Sequence, residues 1–228
     1  MADTVTTHFT QRLYEGARSI WLKQLEHPFV RALGEGTLPR SRFEFYIRQD
    51  ALFLNELTKT FAYATTRTEN SHEMQRFGEL LLNTLQVEQA LHQSYGEKFG
   101  LTPEQMAATR MAPTNYAYTR HLLHISATGS LPELVTAILP CAWIYAEVGR
   151  HFQEQGLPTE DHAYRDWLLT YASPGFEEVG IWLRGVVDDR AEGLDEGHRR
   201  RLVEIFLTSS RYEWMFWDMA WREEAWPV

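Results

Sequence analysis

A single cysteine among 228 residues excludes an intrachain disulfide and any disulfide framework, so a reducing compartment, the cytoplasm, is expected. No continuous run of about 18 apolar residues occurs, which argues against a membrane-spanning helix. The N-terminal stretch MADTVTTHFTQRLYEGARSIW lacks a basic start followed by an apolar run, and reads as mature structure, not as a signal peptide. Basic residues are scarce: 22 Lys and Arg against 31 Asp and Glu leave a formal charge of −9. That balance repels phosphate backbones and anionic lipid, so neither nucleic acid nor membrane is an expected partner. The one basic patch, His198 to Arg201, follows the acids Asp188, Asp189, Glu192, Asp195 and Glu196 and reads as a solvated helix end. Glycine loops of the Walker or dinucleotide type and a Gly-x-Ser-x-Gly elbow are also missing, which leaves nucleotide cradling and the usual serine hydrolase plan without support. Alternation of period two never extends beyond a few residues, so strands are absent or trivial.

What is abundant is large apolar surface. Eight Trp, ten Tyr and twelve Phe within a 44% hydrophobic composition supply a substantial core. Helix-period apolar positions predict helices over about Thr4–Leu25, a short one after His27-Pro28, Ser41–Thr66, Asn70–Phe99 up to Gly100, Thr114–Thr128, Leu131–Gln155, His162–Asp189 and Asp195–Ala225, with the last two open to kinking. The segment TPEQMAAT reads as a short turn. Prolines mark the junctions, Pro140 excepted. The expected fold is all-α: one domain over residues 1–228, an antiparallel bundle of about seven or eight helices sharing one core.

Several ionisable side chains interrupt apolar stripes, where they cost free energy unless satisfied. Asp50 sits among Phe43, Tyr46, Phe53 and Leu57; it either faces an aromatic interior or lies exposed beside Arg48. Glu213 shares a face with Phe216 and Trp217, where desolvation would raise its pKa and make it a proton donor; the alternative is an ion pair with Arg211 or Arg222. Cys141 lies in an apolar run, the usual place of an inert thiol, but directly after Pro140, which removes an intrahelical donor and breaks the helix locally. Tyr116, Tyr118 and Tyr171 read singly as amphipathic core tyrosines. Glu88 and His92, four apart, form a weak metal pattern without a matching second pair; Glu69 and His72 do not supply it.

The segments HPFVRALGEGTL, FYIRQDALFL, APTNYAYTRHL, LPCAWIYAEVG and SSRYEWMFWDMAW resemble, in order, the motifs of the TenA or thiaminase II family. The cysteine within LPC-x-W-x-Y-x-E-x-G, together with the terminal YE-x-x-FW-x-MA, is similar to the cysteine-bearing branch. The resemblance implies a haem-oxygenase-like bundle without haem, commonly a homotetramer, that acts on thiamin and 4-amino-2-methylpyrimidines in salvage of the vitamin's pyrimidine half. The implied reactions are hydrolysis of the 5-aminomethyl compound to the 5-hydroxymethyl one and cleavage of thiamin. On the matching positions, the resemblance makes Cys141 the nucleophile, Asp50 the grip on the pyrimidine, Glu213 the acid facing a ring nitrogen, Tyr118 the helper of the cysteine, Tyr171 the tyrosine near that acid, and Phe216 a stacking aromatic. Phe53 stands where many members carry a tyrosine; it keeps ring contact and loses a hydroxyl.

That scheme has a physical logic. Water displaces a group from the 5-methylene slowly, whereas a thiolate added to C6, with a ring nitrogen protonated, converts the ring to an enamine that expels it. It needs a thiol pKa lowered from about 8.5, and neighbouring hydroxyls and backbone donors are the expected means. No metal, haem or nucleotide is required. The rival readings are a di-metal oxidase recruiting Glu88, His92, Glu147 and Asp50, and a non-catalytic protein that binds thiamin or an aminopyrimidine.

Overall fold

The computed structural model describes residues 8–99, 102–156 and 158–228, and within them all side chains except those of residues 88–99, 103 and 105. Among the described residues there are ten α-helices and no strand: α1 (Phe9–Leu25), α2 (Pro28–Gly34), α3 (Arg40–Arg67), α4 (Ser71–Phe99), α5 (Pro103–Ala107), α6 (Pro113–Thr128), α7 (Leu131–Glu154), α8 (Arg165–Tyr171), α9 (Pro174–Glu192) and α10 (Glu196–Arg222). Seven are long, and α2, α5 and α8 have seven residues or fewer.

Helix ends follow local chemistry. Pro28, Pro113 and Pro174 occupy first-turn positions where a missing N–H costs nothing. The side chains of His27, Ser173 and Asp195 accept from the N–H groups of Phe29, Phe176 and His198, and so satisfy donors that the helix leaves orphaned.

Three expectations are corrected. The stretch His162–Asp189 is two helices, because Ser173-Pro174 stops α8 and caps α9. The turn TPEQMAAT contains the short helix α5. Pro140 does not interrupt α7, which runs on through it; the proline only deprives the Thr136 carbonyl of its N–H partner. The expected starts and stops at Thr4 and Gly100 lie outside the described residues.

Helix α7 is the axis of the molecule. It packs against α9, α10, α6, α8 and α3, while α3 pairs with α4 and α1 with α10. By length and composition alone α7 could cross a membrane, contrary to the expectation that no segment could; 67% of that window is buried inside the bundle. Its near-continuous apolar sequence is therefore that of a core helix enclosed on several sides. One hydrophobic cluster draws on every described helix except α5, with an aromatic centre in which Trp217 stacks on Phe29 and Tyr46 at centroid distances of 5.6 and 5.7 Å.

Close approach of α7 to the end of α8 depends on Gly149. A Cβ there would lie 2.2 Å from the Tyr171 carbonyl oxygen, so only glycine permits this contact.

Candidate active site

Asp50 belongs to the inward stripe of α3 that includes Phe43, Tyr46, Ile47, Phe53 and Leu57, and Glu213 to the inward stripe of α10 with Ser209, Phe216 and Trp217. Helical spacing therefore forces both carboxylates into the interior. They meet α7 at Cys141, α6 at Tyr118 and the end of α8 at Tyr171 around one pocket of about 210 Å³. All seven residues singled out above, Asp50, Phe53, Tyr118, Cys141, Tyr171, Glu213 and Phe216, line it. Tyr145, one turn after Cys141 on α7, lines it too; its i+4 spacing was the available signal, overlooked as a site feature.

Asp50 is 5% exposed and Glu213 2%, which removes the surface alternative for Asp50. Neither arginine offered as a partner takes Glu213: Arg222 pairs with Asp218 at 2.6 Å. Instead the Tyr118 hydroxyl donates to Glu213 Oε1 at 2.5 Å. Burial pushes the Glu213 carboxyl up to about 8; the Tyr118 hydrogen bond pulls the other way, and the Asp50 charge adds to the rise. Burial alone pushes Asp50 up to about 7. A buried pair of acids of this kind supplies a proton near neutral pH.

The Cys141 thiol is half-buried, its open side facing the pocket, and so is not walled into the core as an inert thiol would be. Its pKa is not lowered, as expected, but raised: burial and then the Glu213 and Asp50 charges all disfavour a thiolate. The resting site therefore holds a neutral thiol beside a neutral acid. Tyr118, expected to assist the sulfur, spends its hydroxyl on Glu213, and burial together with that carboxylate raises its own pKa.

Aromatic walls complete the pocket. Phe53 lies 5.1 Å from Tyr118 and 5.6 Å edge-on from Phe216, centroid to centroid. Tyr171 packs against Trp167, Tyr145 and Phe176 at 4.4, 4.7 and 4.8 Å. Behind them the Tyr46 hydroxyl donates to that of Tyr145 at 3.2 Å. Such a slot, with acids at its edge and ring faces on its walls, suits a flat polar heterocycle.

The other candidates fall elsewhere. Tyr116 is 47% exposed and packs edge-on against Trp226, away from the core position expected of it. Glu147 bonds Arg150 near the surface and shares no pocket with Asp50, while the side chains of Glu88 and His92 lie outside the described residues. Among the described residues no cluster of three or more His, Cys, Asp or Glu side chains could hold a metal ion.

Fold and site together define a helical-bundle protein with an internal, acid-bearing aromatic pocket for a small molecule. The chain belongs to the TENA/THI-4/PQQC family, whose sequence pattern matches residues 14–223. It is 40% identical over 220 residues to the aminopyrimidine aminohydrolase of Halalkalibacterium halodurans, a match covering 96% of this chain and 97% of that one. Its structure is similar to that of a TenA homologue protein from P. horikoshii OT3, with a TM-score of 0.87, 32% identity and coverage of 95% and 99% of the two chains. A protein from Shewanella denitrificans OS217 described as having a heme oxygenase-like fold aligns with a TM-score of 0.72 at 14% identity, over 94% of this chain and 92% of that one; this likeness bears on the fold alone.

Proposed function

We propose that this protein is an aminopyrimidine aminohydrolase of thiamin salvage, which replaces the group on the 5-methylene of 4-amino-2-methylpyrimidines by hydroxyl. The 5-aminomethyl compound and thiamin are its substrates. The observation that carries the reading is the meeting of one accessible thiol and two buried carboxyls in a single aromatic-walled pocket. The relative named for this activity shares 40% identity across nearly the whole chain.

The ring packs against the Phe53 and Phe216 side chains, which themselves meet edge-on, with Tyr171 closing the far side. Asp50 accepts a hydrogen bond from the exocyclic amine and fixes which edge of the heterocycle faces Cys141. Glu213, protonated at neutral pH, donates to a ring nitrogen while the sulfur bonds to C6. With the 5-aminomethyl compound the thiol proton passes to the leaving amine, a stronger base than either carboxylate; with thiamin, whose thiazolium leaves as a neutral thiazole, that proton is released to solvent. Electrons from the 4-amino nitrogen then break the bond between the methylene and the leaving nitrogen. Water adds to the exposed exocyclic methylene, its proton returns to the sulfur as the carbon–sulfur bond breaks, and the ring nitrogen gives its proton back to Glu213. One thiol and one acid thus end each cycle as they began it. A neutral thiol and a protonated Glu213 suit this sequence, because neither has to sustain a buried charge before substrate arrives.

The proposal extends to residues 1–228 acting as one domain, assembled as a homotetramer in the cytoplasm. The family resemblance supports it, and a reducing compartment preserves a free thiol of this exposure. The test is a side-by-side rate measurement on the 5-aminomethyl pyrimidine and on thiamin. Release of the 5-hydroxymethyl product from at least one is expected; binding of both without turnover would turn the reading into a binding protein.

A further inference from the structure

Beyond the two carboxyls, the pocket changes character. The rest of its wall includes Leu54, Leu57 and Phe61 of α3, Leu80 of α4, and Val179 and Leu183 of α9. Asn83 and Thr84 supply neutral polar atoms there, and Asn83 and Val87 are exposed at the mouth. Among the described lining residues there is no lysine or arginine, and the only acids are Asp50 and Glu213. The described lining of this chamber offers apolar area to a ligand and no cationic counter-charge, so burying an anionic tail against it forfeits hydration without compensation.

Resting on the function proposed above, we infer that this chamber receives the leaving group and selects amines carrying an apolar substituent: the protein hydrolyses N-alkyl and N-aryl 5-aminomethyl pyrimidines, and discriminates against leaving groups that carry an anion. With a secondary amine R–NH–CH2–ring, the carbon–nitrogen bond breaks with its electron pair left on nitrogen. That nitrogen takes the thiol proton and departs as R–NH2; water supplies the oxygen of the new alcohol and returns a proton to the sulfur. Water and substrate are the sole reactants. The nitrogen stays beside Cys141 while R lies along the leucines, so binding energy from R is available without altering the reacting atoms.

The test measures kcat/KM for the 5-aminomethyl pyrimidine and its N-methyl, N-propyl, N-butyl and N-(3-carboxypropyl) derivatives. Each added methylene is expected to raise kcat/KM by about fourfold until the chain reaches the mouth, the factor that corresponds to burying one CH2. The carboxypropyl compound, matched to butyl in reach, is expected at least about tenfold below it. Asn83→Lys places a cation at an exposed position of the mouth, and should raise the carboxypropyl rate relative to butyl. A flat alkyl series, or a carboxypropyl compound as good as butyl, overturns the inference. Absence of turnover even with the parent compound would instead strike the function proposed above. In that case Kd values for the same series decide the chamber's preference, and an order without alkyl gain or carboxylate penalty refutes it.

Discussion

Replacing Glu213 by Gln gives a worked test of the electrostatics of the pocket. In the fold, burial raises this carboxyl to about 8, against an ordinary value of 4.5. The folded state therefore binds a proton that the unfolded chain has released, and stability contributed by this group is lost as pH rises from about 4.5 to about 8. At about 1.4 kcal/mol per pH unit across that window, full ionisation of Glu213 costs the native state on the order of 5 kcal/mol. Glutamine has the shape of the protonated acid, can still accept from Tyr118 and never ionises. The variant should thus match or trail the parent near pH 5 and overtake it progressively toward pH 9, by several kcal/mol in urea unfolding followed by circular dichroism. Turnover moves oppositely: kcat/KM of the parent falls above about pH 8 as the acid is lost, and the variant has lost most of its activity at every pH while still binding substrate. A stability difference independent of pH, or one that shifts in favour of the parent as pH rises, would refute the placement of this acid in a desolvated pocket.

Two further substitutions separate the supporting parts. Tyr118→Phe removes the hydrogen bond that lowers the Glu213 pKa, so the alkaline limb of the pH–rate profile should move upward; an unmoved or lowered limb contradicts the coupling. Gly149→Ala forces a methyl against the Tyr171 backbone, with an expected loss of about 1–3 kcal/mol in unfolding free energy. It should also raise KM, because the wall that carries Tyr171 must shift. Gly180→Ala is the control, since its added carbon meets nothing nearer than 3.8 Å, and equal effects of the two would count against this account of the α7–α8 contact.

The helices were largely legible in the sequence because the bundle is built from long amphipathic segments whose period of 3.6 dominates every other signal. The break at Ser173-Pro174 was carried by a cap and a first-turn proline, and was masked by apolar residues that continue on both sides of it. Pro140 misled in the other direction, because packing on several sides keeps α7 continuous through a residue that would end an isolated helix. Asp50 and Glu213 announced themselves as charges inside apolar stripes. Their proximity, and the use of Tyr118 to bridge to Glu213, depend on how α3, α6 and α10 pack together, which no local pattern encodes. The direction of the Cys141 pKa was hidden for the same reason: it is set by two acids lying 91 positions earlier and 72 positions later in the chain.

In the proposed mechanism the sulfur of Cys141 is the attacking atom, and every later step depends on its bond to C6. The most direct measurement is the rate of hydroxymethylpyrimidine formation from the 5-aminomethyl compound by the Cys141→Ser protein, alongside its Kd for the same compound. A fall of about a thousandfold or more in kcat with Kd nearly unchanged is expected, because the hydroxyl is a far poorer nucleophile in this buried, acid-flanked site. Turnover within a few-fold of the parent protein would mean that water attacks without covalent help, and would contradict the mechanism.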